Sequence, residues 1–364
     1  MRRVIISIVS LSVITTMIAM GSRSNAGRTE GTKHVPEATQ PSTDGLAPPL
    51  TSGPMAIPGA QPSKAYRDGY ALGECLAAEK CQIFEATIQA TGEPRKQAGL
   101  AAERSPVFRE VLVTVDQNLA GPGNVSGQSV SLESVGSPAL TKTALGPWNV
   151  WEKVQLAVGG KLMIALWGPK AQRATWEGKP EKVALVTSDL DSFGPIREIV
   201  NTQQEVEARP ETLLEISRRA DQIDHYLLGY LMAYANQKLV VKDVDMVAKV
   251  FSSLLTNEAV PEFVRNDIPA RLLIDSYRLS DKARNAATKS LVVAAANDNV
   301  YLSEIAIDVL IQLSNDKRFN MQPFLTPAVR PKLLANYESL LARRGGARGD
   351  HRSFETQIGI NVPN

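Results

Sequence analysis

The region from about residue 65 to residue 207 shows the alternation of polar and apolar side chains that is typical of short β-strands. In residues 111–116, for example, valine occupies every second position, which is the period of a strand with one buried face. Pairs such as Gly121-Pro122 and Gly159-Gly160 separate the runs and are typical of turns. The pattern predicts a small antiparallel barrel or sandwich with strands at 83–90, 111–116, 129–135, 154–158, 161–167 and 183–187.

Past Glu207 the apolar residues recur every three or four positions, which indicates helices. Pro269 falls inside the third helical segment and should break or kink it. Short connections favour antiparallel hairpins stacked as a helical repeat array over 208–345, and a plain helical bundle is the alternative. The chain is therefore predicted to be an α+β protein of two domains. The first long helix is predicted from Leu213, Ile216, Ala220, Ile223, Leu227 and Leu231.

Three further segments flank these two domains. Residues 1–26 have the features of a secretory signal peptide, because Arg2 and Arg3 precede an uncharged run and small residues suit cleavage after position 26. We expect an exported protein, periplasmic or extracellular; an uncleaved leader that tethers the chain to the membrane is the alternative. Residues 27–64, rich in Pro, Gly, Ser and Thr, are expected to be a disordered spacer, and 346–364 a disordered tail.

The charge of the chain is nearly balanced. The full sequence has a net charge of +2, and loss of residues 1–26 would remove three arginines and leave −1. Nucleic-acid binding requires a basic surface, and neither predicted domain has an excess of Lys and Arg. We therefore expect no nucleic acid among the partners, which the sequence leaves as an unknown protein or envelope polymer.

The only two cysteines, Cys75 and Cys81, lie six positions apart. In an oxidising compartment they are candidates for a disulfide, provided that the helix before them ends between the two residues. Their spacing differs from the Cys-x-x-Cys of redox motifs, so a local structural link is the preferred interpretation.

No pattern for catalysis, metal binding or cofactor binding stands out. The Gly-x-Ser-x-Gly motif of serine hydrolases is absent, and His225 is the only histidine within a predicted domain, with no nucleophile indicated beside it. Asp189 and Asp191 resemble the start of a calcium loop, but Val200 replaces its bidentate glutamate. We therefore predict no catalytic residues, no metal and no cofactor, and an acidic turn at 189–194.

All four tryptophans lie in one short stretch of the β region. Aromatic side chains gathered near strand ends can form a binding surface for a sugar, a peptide or an apolar partner. The alternative is that they pack in the barrel. The candidate partner-binding residues are Trp148, Trp151, Trp167 and Trp176.

Three segments of the β region carry a resemblance to known domains. They are Cys81-Gln-Ile-Phe-Glu-Ala-Thr-Ile, Val111-Leu-Val-Thr-Val-Asp-Gln-Asn-Leu-Ala-Gly-Pro and Leu156-Ala-Val-Gly-Gly-Lys-Leu-Met-Ile-Ala-Leu-Trp. They resemble exported bacterial OB-like domains related in shape to tissue inhibitors of metalloproteases, and the helical region is similar to HEAT-like repeats. The resemblance implies an OB-like barrel at 65–207 followed by a HEAT-like array. The cysteine-rich N-terminal ridge of that family is not reproduced, so no functional residue is assigned from it.

Together these features predict a non-enzymatic exported protein that binds a partner in the cell envelope. The alternative is an envelope hydrolase whose catalytic carboxylates are dispersed along the sequence.

Overall fold

Antiparallel strands form one curled sheet in the N-terminal half of the protein. The computed structural model describes residues 62–78, 80–96, 107–136, 151, 154–167, 183–219, 223–346 and 351–360, all within one compact unit. The predicted leader and most of the predicted spacer lie outside these ranges. The sheet and the helices that follow confirm the predicted α+β class. The strands are β1 Cys81–Thr91, β2 Arg95–Lys96, β3 Val107–Ala120, β4 Ser129–Gly136, β5 Lys161–Trp167 and β6 Val183–Thr187.

One face of the sheet is buried throughout, and the other is buried along β5, β6 and the start of β1 but largely exposed on β3 and β4. The strand order is β2-β3-β1-β5-β6, and β4 also pairs with β3. Phe84 of β1 and Ile164 of β5 lie opposite each other on one face, in an apolar cluster that Trp151 joins. Ile83 and Met163 lie in a second cluster, shared with the helices. Alternation along β1 and β5 thus supplies two cores, as expected where side chains point alternately to opposite faces.

One predicted strand is not formed. Residues 154–158 run beside the sheet without joining its ladder, and Val154 and Leu156 pack half-buried against the cluster around Trp151. The backbone turns at Gly159, whose φ is +81°, and its N–H donates to the carbonyl of Ile88 at 2.8 Å. The apolar alternation therefore predicted the partial burial of Val154 and Leu156 correctly, but Val158 is 66% exposed and the segment pairs with no strand of the sheet.

Two helices flank the strands of the predicted β domain. Helix α1, Lys64–Ala77, is the helix on which the pairing of Cys75 with Cys81 depended, and helix α2, Phe193–Ala208, follows β6 where no helix was predicted. Ile196, Ile199 and Val206 are buried along α2. Their spacing of three and seven residues is helical, and the assignment of this region to the β domain overlooked it.

The single long helix predicted from Leu213 to Leu231 is instead two helices. Helix α3 covers Thr212–Arg218, and helix α4 begins at His225. The side chain of Asp224 accepts a hydrogen bond from the N–H of Leu227 at 2.7 Å, so it caps a new helix. Helix α4 runs through His225–Tyr234, a π-helical segment Ala235–Leu239 and a last turn Val240–Lys242.

Each of the remaining helices packs against a helix one or two places away from it in the chain. Helix α7 packs against α8, while α5 packs against α7 and α6 against α8. A break or a kink was predicted at Pro269, and helix α6 continues through it without a break. Ile268 and Leu272, on either side of the proline, are both buried and anchor the helix. The helices are α5 Val244–Thr256, α6 Glu262–Ile274, α7 Asp281–Ala295, α8 Val300–Ser314, α9 Val329–Arg343 and α10 Arg352–Ile358.

Helix α10 lies in the segment that was expected to be a disordered tail. Phe354 and Ile358 are fully buried, and Glu355 accepts a hydrogen bond from the hydroxyl of Tyr337 at 2.7 Å. An apolar pair four residues apart is enough to bury one face of a short helix. The expectation of disorder is therefore wrong for residues 352–358.

Candidate functional site

Helices α1 and α4 meet at a contact built from glycine. A Cβ added at Gly69 of α1 would lie 1.9 Å from the carbonyl oxygen of Tyr226, and one added at Gly229 of α4 would lie 2.1 Å from that of Tyr66. Only residues without a side chain permit such an approach. The contact brings the N-terminal ends of the two helices together.

A serine and a histidine touch at these helix ends. Ser63 Oγ lies 2.7 Å from Nδ1 of His225 in an exposed contact. Ser63 is also the N-cap of α1, since it accepts a hydrogen bond from the N–H of Tyr66 at 3.2 Å. The sequence indicated no nucleophile beside His225, because Ser63 precedes it by 162 residues and lay in the predicted spacer.

Behind this pair a chain of hydrogen bonds runs from α4 to the turn after β6. The hydroxyl of Tyr226 donates to Ser192 Oγ at 2.6 Å, and Ser192 donates to Asp189 Oδ2 at 2.8 Å. Burial raises the pKa of Tyr226 to about 12; the Ser192 hydrogen bond opposes this rise, and the nearby carboxylates of Asp68, Asp189 and Asp224 add to it. The phenol therefore stays protonated and acts as a donor.

Asp68 is the most enclosed carboxylate of the group. Its residue is 9% exposed, and its side chain pairs with Lys64 one turn earlier on α1. Burial raises the pKa of Asp68, while the hydrogen bond and charge of Lys64 lower it. The net rise means that desolvation outweighs the ion pair.

The predicted acidic turn at 189–194 has a structural role. Asp189 Oδ1 accepts from the N–H of Asp191 at 3.2 Å and so caps a single turn of 3₁₀-helix, Leu190–Ser192, which leads directly into α2. Within the described parts of the chain, no three His, Cys, Asp or Glu side chains converge as a metal site would require.

A groove opens on the other side of Asp224, between α2 and α3. It encloses about 370 Å³, within the range of small-molecule and peptide-side-chain sites. We call Glu198, Thr202 and Glu205 the α2 wall, and Thr212, Glu215 and Arg219 the α3 wall. We call the half-buried apolar lining residues Ile216, Ile223 and Leu227 the floor, and the exposed lining residues Arg209 and Asp224 the rim.

Acidic side chains predominate in this groove. Arg209 and Glu215 form an ion pair at 2.9 Å. Among the described residues, Glu198, Glu205 and Asp224 form no ion pair, and neither does Arg219. The groove thus presents three carboxylates and one guanidinium that are not neutralised within this part of the protein.

The two described tryptophans and the cysteines singled out from the sequence lie outside the groove. Trp151 is 7% exposed inside the sheet cluster, and half-buried Trp167 packs against the helical core. Trp148 and Trp176 lie outside the described residues. A disulfide joins Cys75 and Cys81, whose Cα atoms are 5.3 Å apart, and α1 ends between them.

Comparison of the chain with protein-family models, with curated proteins and with solved structures finds no match. In the described residues, no helix combines the length and apolarity needed to cross a membrane.

Proposed function

We propose that this chain is an exported, non-enzymatic protein of the cell envelope that binds a partner through the groove between α2 and α3. The groove is the observation that carries the proposal: it has two polar walls, an apolar floor and carboxylates left unpaired within the described residues. Such a combination suits a ligand that brings both apolar surface and polar partners. The leader at 1–26 and the disulfide between Cys75 and Cys81 support export.

The architecture we propose is an OB-like sheet followed by a HEAT-like array. The curled antiparallel order of the strands supports the first part. The second is supported by three helix pairs, α5 with α6, α7 with α8, and α9 with α10, the last joined through Tyr337 and Phe354. First helices pack on first helices, and second helices on second helices. Stacked hairpins of this kind share a continuous core.

Capture from the native envelope tests the binding function. The full chain is compared with Thr202→Trp, which fills the centre of the α2 wall, and with Thr256→Trp, which places the same side chain on the exposed end of α5. A specific partner should copurify with the wild type and Thr256→Trp and be lost with Thr202→Trp. Equal recovery with all three would show that the groove does not bind it, provided that all unfold at the same temperature.

Hydrolysis is a second candidate, favoured by the contact of 2.7 Å between Ser63 and His225. In that reaction Ser63 Oγ would bond to an ester carbonyl carbon and pass its proton to His225 Nδ1. The departing alcohol would take up this proton, and water would then cleave the acyl-serine. The test is hydrolysis of nitrophenyl acetate with fluorophosphonate labelling of Ser63. Ser63→Ala should abolish both if the candidate is correct, while Ser126→Ala retains them; absence of both from the wild type excludes this candidate.

A further inference from the structure

We infer that the groove between α2 and α3 binds a basic peptide segment with lysine or arginine at every third position and apolar residues between. The inference rests on the proposed binding function and specifies the chemistry of the partner. It follows from three features of the groove: the spacing of its carboxylates, its uncompensated charge and its apolar floor.

The α2 wall fixes the spacing. Glu198, Thr202 and Glu205 lie at positions i, i+4 and i+7, so they share one face of α2. At a rise of 1.5 Å per residue, the two glutamates are separated by about 10 Å along the helix axis. In a polyproline II segment, residues three apart lie on the same face at about 9 Å. Two cationic side chains of such a segment can therefore reach Glu198 and Glu205 together.

The charge of the groove decides which charge its ligand must carry. The ion pair of Arg209 with Glu215 neutralises one carboxylate. Glu198 and Glu205 are exposed and have no ion-pair partner among the described residues, and Asp224 stands at the rim. An anionic ligand would be repelled by three carboxylates and attracted by Arg219 alone. A cationic ligand would be attracted by the three carboxylates and repelled by Arg219 alone.

The floor indicates a peptide rather than a bare cation. Ile216, Ile223 and Leu227 are half-buried and line the same groove as the two walls, so they offer apolar surface that a neighbouring leucine or proline of the ligand would cover. The hydroxyl of Thr202, between the two glutamates, provides a hydrogen-bonding group for a peptide backbone.

Fluorescence anisotropy with the full chain tests the inference. The probe is a short labelled peptide with lysine at every third position and leucine and proline between; two comparison peptides carry glutamine or glutamate in place of lysine. We expect the lysine peptide to bind and the glutamate peptide not to bind. Because each exposed ion pair contributes modestly, Glu198→Gln/Glu205→Gln should weaken binding by about tenfold. Salt at about 1 M, where charges are screened beyond about 3 Å, should remove most of that difference.

A matched control is available in Glu258→Gln/Glu338→Gln, which makes the same change of charge at exposed positions outside the groove. The control should bind like the wild type; equal weakening in both double variants would mean that overall charge, and not the groove, attracts the peptide. Retained secondary structure, measured by circular dichroism, separates lost contacts from lost folding.

The remaining outcomes distinguish the inference from the proposed function. If the glutamine peptide binds as tightly as the lysine peptide and Thr202→Trp abolishes both, the groove binds peptides but the cationic specificity is wrong. If no peptide binds, the inference fails, and the capture experiment alone decides the function. Displacement of the probe by a simple diamine that binds as tightly as the peptide would show that the groove binds a small cation instead. Self-association that Thr202→Trp abolishes would show that a second copy of the chain occupies it.

Discussion

Gly69 lies directly against the backbone of Tyr226, where a Cβ would approach the carbonyl oxygen to 1.9 Å. Because backbone cannot move aside as a flexible side chain can, Gly69→Ala should push α1 and α4 apart and destabilise the protein by about 3 kcal/mol. The free energy of unfolding in urea measures this. The free energy of unfolding should fall, and the contact between Ser63 and His225 should be lost, because the packing of α1 on α4 creates it.

The control for this substitution is Gly123→Ala. Gly123 lies in the exposed loop after β3, and a Cβ added there would meet no atom within 4 Å. Alanine at this position restricts the unfolded chain without a clash, so stability should stay equal or rise by about 0.5 kcal/mol. Similar losses at both positions would contradict the close contact of α1 with α4.

The disulfide provides a second prediction. Cys75 and Cys81 close a short loop between α1 and β1, and in the chain-entropy model a loop of this size stabilises by about 2 kcal/mol. Cys75→Ala/Cys81→Ala should lower the free energy of unfolding by about that amount. Reductant should lower the free energy of unfolding of the wild type but not that of the variant. A wild type indifferent to reductant would refute the stabilising role.

The parts of the fold that the sequence predicted are those set by interactions between residues close together in the chain. The valines of residues 111–116 indicated β3 because alternation is local, and the helical spacing of Val244, Val247 and Phe251 indicated α5 in the same way. The break at Asp224 was not predicted, because its neighbours Ile223 and Leu227 keep the helical period while the aspartate side chain caps a new helix.

The candidate site could not be read from the sequence for a different reason. Ser63 meets His225 only because Gly69 and Gly229 let two distant helices approach. The α2 wall was in principle accessible: Glu198, Thr202 and Glu205 have helical spacing. It was missed because residues 195–207 had been assigned to the β domain, and on a strand Glu205 would face away from Glu198 and Thr202.

A third prediction concerns alkaline pH. The pKa of Tyr226 is raised in the fold to about 12 from an ordinary value of 10. A raised pKa means that the folded state holds the proton more tightly, so this contribution to stability is complete below pH 10 and is lost as the pH rises through about 12. Tyr226→Phe removes that loss and also removes the hydrogen bond to Ser192, at a cost of about 1 kcal/mol at neutral pH.

The measurement is urea unfolding of both proteins between neutral pH and about pH 11, between the ordinary and the raised pKa of the phenol. The difference in stability between wild type and Tyr226→Phe should narrow above about pH 10. Tyr277→Phe is the control, because Tyr277 is 66% exposed and should leave the pH profile unchanged. Parallel profiles for wild type and Tyr226→Phe would mean that Tyr226 titrates normally.

The last prediction concerns the C-terminal helix. Phe354 of α10 is fully buried, and its ring lies 5.1 Å from that of Tyr337 on α9 in an edge-on arrangement. Removing a buried phenylalanine leaves a cavity, so Phe354→Ala should destabilise the protein by about 4 kcal/mol. Ser353→Ala, at the neighbouring half-buried position, should change stability by no more than about 0.5 kcal/mol. Urea unfolding monitored by tyrosine fluorescence compares the two. If Phe354→Ala were as stable as the wild type, the ring of Phe354 would contribute nothing to folding and could not be packed in the core. That result would support the disordered tail expected from the sequence for residues 352–358.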